Sequence, residues 1–404
     1  MKVKLGDIAT IQSGPFGTQL HKDEYTDFGI PMLNAKNIGN GVVIMDSIDY
    51  VTPDVCKRLE KYVLRKGDII FGRAGSIERH TYISEKYDGC FQGTNCIRIR
   101  PHDLKTSMYI SYYLWLPSLK QIIENQAGGS ILNYITTDLL KEIVIDIPNE
   151  NALLNISSIL YSLDEKIENN TCINDNLAQQ AKLLYDYWFT QFDFPDENDK
   201  PYRSSGGQMV WNDLLKKKIP VGWEVKTLSE LLKKNTQSFD YSSVQPTIDL
   251  SVMPSDSIAL SQINSSDNFS TNLYVMKKGD ILFGSIRPYL HKAGIAPCDG
   301  AVAGTVHSYH TINPNDYNFS LLTMARDSFF DYAVNTSSGT KMPVVSSDSI
   351  LSFKFAYSKE VAKKFNSVPI MEIITRNVQE TQRLIKLRDF LLPLLMNGQA
   401  TIAE

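Results

Sequence analysis

Two arginine-bearing turns are the stretches of this chain best suited to chemistry. Arg73 and Arg79 flank Gly75-Ser76, just after the strand-like run Asp68-Ile69-Ile70-Phe71. A glycine-rich turn lets backbone approach a ligand closely. Arginine can hold guanine O6 and N7 through two parallel hydrogen bonds, and Ser76 adds a hydroxyl. A surface turn with solvated arginines has the same composition. An equivalent turn runs from Ser285 through Arg287, Tyr289 and His291 to Lys292. Lys36 and Asn37 follow Gly29-Ile30-Pro31-Met32-Leu33-Asn34. Asparagine can pair with adenine, but it is nearly as common in turns. Gly128-Gly129-Ser130 and Gly339-Thr340-Lys341 are small-residue loops that fit backbone contacts to phosphate, or simply tight turns. Gln92, Asn95 and His307 are weaker candidates, more often structural.

Other chemistries lack their residues. Asn313-Pro314-Asn315-Asp316 does not supply the Asn/Asp-Pro-Pro-aromatic motif of an adenine methyltransferase, and no GxxxxGK phosphate loop exists. Pro195-Asp196 with Glu224-Val225-Lys226 superficially resembles a nuclease metal site, but it straddles a linker. No close His/Cys/Asp constellation suggests nucleophilic catalysis or a metal, so neither catalytic nor metal-ligating residues are expected. The five cysteines are an odd number without a CxxC pair, which reads as reduced thiols in a cytoplasmic protein. No run of about 18 apolar residues indicates a membrane span. A net charge of −4 means that any nucleic-acid binding needs basic residues gathered on one face, or a partner that adds phosphate contacts.

The elements that must position these residues occur twice. KGDIIFG at Lys66–Gly72 returns as KGDILFG at Lys278–Gly284. Asp88-Gly89 and Gly93-Thr94 return as Asp299-Gly300 and Gly304-Thr305, and Thr137-Asp138 returns as Ser347-Asp348. The order of landmarks is kept, as a duplicated module requires. In 1–150, strand-like runs at 41–44, 68–71, 95–99 and 143–147 alternate with Gly, Pro and Asn, and a helical stretch covers 107–125. This is an α+β pattern without regular βαβ alternation. A second such module spans 223–358.

Each module precedes a long helical pattern. In 151–192, Leu163, Ile167, Asn170, Asn174, Leu177 and Leu184 fall on a seam spaced 4 and 3 in turn. In 359–404, Ile374, Asn377, Leu384 and Leu391 continue that spacing, with Pro369 expected in the first turn and Pro393 at a kink or end. The two helices should pack on each other, the central asparagines fixing register at some cost in stability. Trp188 and Phe189 read as packing between them. Residues 193–222 are polar and rich in Gly and Pro, a linker returning the chain to its second module. About 36 helical residues span roughly 50 Å, more than one turn of DNA. A heptad added to each helix would change a spacing set by the helices by roughly 10 Å, about three base pairs.

The order module, helix, module, helix resembles the specificity subunit of type I restriction–modification systems. The strings LGDIATIQSGPFGTQL, GIPMLNAKNIGNG and KGDIIFGRAGSIER are similar to that family's target-recognition domain. LYDYWFTQFDFP and RLIKLRDFLLPLLMNGQATI resemble the ends of its spacer helices. The resemblance implies two tandem target-recognition domains, each reading one half of a split double-stranded DNA target. It implies an antiparallel coiled coil that sets the gap, and two methyltransferase subunits that dock on it and carry S-adenosylmethionine. Motor and nuclease subunits join to make the restriction complex. This chain itself would hold no cofactor and catalyse nothing. The second module lacks the RAGSIER string, so the implied target is asymmetric. The alternative is a coiled-coil scaffold with two protein-binding modules and no DNA binding.

Overall fold

The structure is a computed structural model that describes residues 1–73, 77, 79–126 and 134–400. Ser76 and Ser130 lie outside the described residues. The chain forms two compact units, Met1–Asp164 with the C-terminal segment from Leu387, and Glu165–Lys386.

In the first unit, strands Ala9–Ser13, Cys96–Pro101, Ile69–Gly72 and His80–Tyr82 form an antiparallel sheet in that order. Side-chain alternation places Ile97 and Ile99 in a core with Ile69, Phe71, Leu5 and Tyr109. A second sheet orders Tyr25–Thr26, Asp49–Val51, Ile30–Leu33 and Phe91–Gln92, its last pair parallel. Lys2–Lys4 pairs with Val144–Asp146.

The second unit repeats this scheme. Leu232–Lys234, Val306–Thr311, Ile281–Gly284 and Ala293–Ile295 make one sheet, and Asn264–Ser265, Pro246–Ile248, Gly300–Ala303 and Leu273–Met276 the other. Here too the second sheet contains one parallel pair, Pro246–Ile248 with Gly300–Ala303. Glu224–Thr227 pairs with Lys354–Tyr357.

The repeated strings are turn machinery. In KGD, the glycine takes a left-handed φ, +94° at Gly67 and +86° at Gly279. The aspartate then accepts the backbone N–H three residues back, Arg65 to Asp68 and Lys277 to Asp280, each at 2.8 Å. The Asp-Gly landmarks supply the next bond: Asp88 accepts Lys66 N–H and Asp299 accepts Lys278 N–H, again at 2.8 Å.

The first long helix is Glu150–Tyr185, extended by a π-turn over Asp186–Thr190. The second pattern divides: a short helix Lys359–Asn366 ends before Pro369, and the long helix is Ile370–Met396. Proline cannot continue a preceding helix, which moves the start past 359. Pro393 lies inside the helix and does not end it. Other expected spans also shift. Residues 41–44 hold only an isolated bridge at Val43, and 107–125 is two helices, Leu104–Tyr113 and Pro117–Gln126, divided before Pro117. Part of the expected linker is a hairpin, Met209–Asn212 with Lys217–Pro220.

The two long helices run antiparallel. Within the second unit Asn170 donates to Glu380 at 2.9 Å and Asn377 donates to Asn174 at 3.0 Å, so numbering rises on one helix as it falls on the other. Asn170, Asn174 and Ile374 are buried on this seam, and Leu177, Leu184, Asn377 and Leu384 are partly buried. Within the first unit Leu153, Ile156 and Leu160 share a core with Leu392, Leu395 and Met396, and Leu391 packs against it. There Arg388 meets Asp164 at 2.8 Å, while Tyr112 donates to the same carboxylate at 2.6 Å. Leu163 and Ile167 are partly buried. Trp188 and Phe189 pack on Phe365, in the short helix that opens the second helical stretch, and share a core with Met371 and Ile374 of the long helix. Phe189 also meets Phe319 and Trp223 of the second module.

Candidate nucleic-acid interface

The strand Ile69–Gly72 is buried along its length, and the chain surfaces at Arg73. The Arg73 backbone is held on both sides: its N–H donates to Asn95 O at 2.8 Å and its carbonyl accepts Ile135 N–H at 3.1 Å. The guanidinium therefore projects from a fixed base. Among the described residues it has no carboxylate within 4.0 Å.

Arg73 lines a cleft of about 700 Å³ with Phe16, Asn34, Lys36, Asp49 and Asn95. Lys36 Nζ lies 3.1 Å from Asp49, which also accepts from Asn34 Nδ2 at 2.8 Å. Lys36 is half exposed, so water weakens this ion pair and leaves the ammonium able to reach a phosphate. Phe16 is 60% exposed at the cleft, an apolar face of the kind that meets a base or a thymine methyl. The cleft thus presents cationic and amide donors, one carboxylate acceptor and an aromatic ring.

Asn37 is a correction. It is fully buried, donates to the carbonyls of Ile44 and Asp46, and accepts Asn34 N–H. Its amide closes a turn and has nothing left for adenine. Asn95, ranked lower by sequence, is exposed in the cleft, whereas Gln92 is buried and bonded to the carbonyls of Gln12 and Cys96. Phe16 and Asn34 carry only weak signals in the sequence, as members of the strings LGDIATIQSGPFGTQL and GIPMLNAKNIGNG. Arg79 is exposed immediately before strand His80–Tyr82.

In the second module the turn joins the corresponding strands, Ile281–Gly284 and Ala293–Ile295. Arg287 and His291 both adopt left-handed φ, +52° and +51°, on either side of the short turn Pro288–Leu290. Each such non-glycine residue costs on the order of 1 kcal/mol and persists only where its surroundings impose it. Arg287 N–H donates to Pro343 O at 2.8 Å, and Ile286 bridges to Val344. These bonds join the turn to the loop carrying Lys341, which bends at Gly339 with φ +95°. Arg287, Tyr289 and Lys341 are all exposed there, and among the described residues Arg287 also has no carboxylate within 4.0 Å.

Three candidates of this turn serve the fold instead. Ser285 is buried and donates its hydroxyl to Thr305 O at 2.9 Å. Lys292 spends its ammonium on Leu250 O at 2.6 Å, and burial lowers its pKa. His291 lies 2.9 Å from Asp256 and stacks on Phe330. Spacing along the chain offers no metal ligands, yet folding gathers Asp256, His291 and Asp327 from three segments.

His307, also a weaker candidate, is part of the fold. Burial, with Lys234 nearby, pushes its pKa down to about 4, and its Nε2 has no partner among the described residues. The unfolded chain then binds a proton near pH 6.5 that the folded chain refuses until pH 4. This contribution to stability is full above pH 6.5 and is lost as pH falls towards 4, by up to about 3 kcal/mol. Unfolding of His307→Gln across that window is expected to show a flatter acid dependence than the parent. An unchanged slope would contradict this account.

Comparison with known proteins agrees with this architecture. Residues 1–179 match the model described as the type I restriction modification DNA specificity domain. The chain is 24% identical to the type I restriction enzyme MjaIX specificity subunit of Methanocaldococcus jannaschii, over 99% of this chain and 93% of that protein. It is 23% identical to the HindI specificity subunit of Haemophilus influenzae, over 84% and 88%. The crystal structure of the S subunit of a type I restriction–modification system from M. genitalium shares the fold, with a TM-score of 0.54 at 16% identity, over 100% of this chain and 96% of that one. Among the described residues no helix is long and apolar enough to cross a membrane. With its two matching modules and paired long helices, the chain is similar over nearly its whole length to specificity subunits of type I restriction–modification systems.

Proposed function

We propose that this chain is the non-catalytic, sequence-reading subunit of a cytoplasmic type I complex, each module contacting one half of a bipartite double-stranded DNA target. One observation carries this: at the corresponding hairpin turn, each module presents an arginine, Arg73 or Arg287, on a pinned backbone with no carboxylate partner among the described residues. Such donors suit guanine edges or phosphates. The cleft around Lys36, Arg73 and Asn95 serves one half-site, and Arg287, Tyr289 and Lys341 serve the other. The two surfaces differ in composition, so the halves of the target differ. The antiparallel helices set the spacing and dock two methyltransferase subunits, which carry S-adenosylmethionine. Motor and nuclease subunits complete the restriction complex.

The test is co-purification with an adenine-methyltransferase subunit, followed by mapping of methyladenine in DNA exposed to the complex. The expected result is a split, asymmetric motif that changes in one half when one module is exchanged. Arg73→Ala should weaken or relax recognition in the first half by about 1–3 kcal/mol, leaving the second half unchanged. Stable chains that neither associate nor direct methylation would favour a protein-binding scaffold.

A further inference from the structure

The cluster of Asp256, His291 and Asp327 belongs neither to the hydrophobic core nor to the cleft of the first module. We propose that it is a binding site for a single divalent transition cation of the zinc class, which pins the Arg287–His291 turn. The three residues come from a loop, from the end of the turn, and from the first position of helix Asp327–Asn335. His291 Nδ1 lies 2.9 Å from Asp256 Oδ1 and 3.7 Å from Asp327 Oδ1, and the three ligand atoms lie within 4.8 Å of one another. Ligands about 2.1 Å from a tetrahedral ion stand roughly 3.4 Å apart, so an ion fits this triangle after small shifts. Three protein ligands leave a fourth position for water.

Charge and rigidity point the same way. Two carboxylates face one imidazole, which bears one positive charge at most, whereas a divalent cation balances both carboxylates. The imidazole is oriented in advance: its ring lies 4.4 Å from Phe330, with planes 6° apart. The loop and the turn are already joined, because Asp256 N–H donates to His291 O at 3.0 Å. Asp256 and His291 both hold left-handed φ, +57° and +51°, which a ligand drawn from each would help to impose. Imidazole and carboxylate together suit zinc, cobalt or nickel over magnesium or calcium. The ion's role is to hold the turn. Cation binding does not depend on that turn meeting DNA.

The test uses the full chain, without an affinity tag, in a Cys172→Ser background that removes the exposed thiol. Cobalt(II) is titrated in and its visible d–d absorption recorded, then zinc is used to displace it. One equivalent should bind with a tetrahedral or five-coordinate spectrum. Zinc should slow hydrogen exchange at the amides of Leu290 and His291. Asparagine tolerates left-handed φ, so His291→Asn and Asp256→Asn keep the backbone while removing a ligand. Asp327→Asn is the matching change on the helix. Each should weaken cobalt binding at least about 100-fold, the upper end of what losing even an outer-shell partner costs. Absence of binding at millimolar cobalt would overturn the proposal and leave a hydrogen-bonded His–Asp cluster. Binding of equal strength in the three variants would overturn it too, by placing the metal elsewhere.

Discussion

Phe189→Ala is expected to destabilise the second unit by about 3–5 kcal/mol, a large part of an ordinary domain's stability. Phe189 is 4% exposed, and rings surround it: Phe319 at 4.8 Å, Tyr185 at 5.0 Å, Phe365 at 5.2 Å and Trp223 at 5.9 Å between centroids. The benzyl group makes edge and tilted contacts at once with the end of the first long helix, Trp223 just before strand Glu224–Thr227, helix Tyr317–Met324 and helix Lys359–Asn366. Truncation leaves a cavity that four stiff rings cannot collapse to fill. The measurement is urea unfolding of the full chain, with each unit's transition resolved by hydrogen exchange. Protection should fall in the second unit and stay near its parent value in the first. Leu183→Ala, on the same helix but 70% exposed, is the control and should change stability by less than about 0.5 kcal/mol. Equal losses from the two variants would show that the aromatic cluster is not what anchors the helix end.

That anchoring could not be seen in the sequence. The heptad spacing revealed the long helix and its buried Asn170 and Asn174, because periodicity reports which face is covered. It cannot report everything that covers it: Trp188 and Phe189 meet Phe365 of the second helical stretch, but Phe189 also meets Phe319 and Trp223 of the second module. The duplication was legible for a local reason. KGD and Asp-Gly encode a left-handed glycine and side-chain bonds to backbone three or some twenty residues away, and such turns tolerate few other residues. The helical stretch expected over 359–404 divides at Pro369, because the apolar pattern continues across a backbone break. The hairpin Met209–Asn212 with Lys217–Pro220 has strands too short and too polar to rise above its surroundings.

Candidate contacts were legible only as types of residue. Asn37 and Ser285 have suitable side chains, but their polar atoms are spent inside the fold. Arg73 and Arg287 each follow a buried strand where the chain leaves the sheet, Arg73 half-buried and Arg287 exposed. The trio Asp256, His291 and Asp327 had no signal at all: its members are 35 and 36 residues apart along the chain, and only the stacking and turn geometry unites them.

The repeated aspartate also gives a prediction that separates the two modules. Asp68 is 1% exposed and accepts Arg65 N–H at 2.8 Å together with two charge-assisted bonds from Arg100, both at 2.7 Å. Asp280 occupies the same turn, 4% exposed, but its side-chain partners are the neutral Asn235 amide and Ser308 hydroxyl. Without a cation beside it, burial pushes the Asp280 carboxyl above its ordinary pKa. Asp68→Ala leaves a partly buried guanidinium without its counter-charge and should cost about 3–4 kcal/mol, the lower part of the range for broken buried pairs because Arg100 is 30% exposed. Asp280→Ala leaves only neutral donors unsatisfied and should cost about 1–3 kcal/mol. Asp68→Asn, which keeps an acceptor for Arg65 N–H, should fall between parent and alanine. Chemical unfolding of the three variants measures this directly. If Asp68→Ala costs no more than Asp280→Ala, the turn bond common to both modules carries the stability and the Arg100 pair adds nothing. If it costs more, the first module owes the firm base beneath Arg73 in part to a charge that the second module lacks.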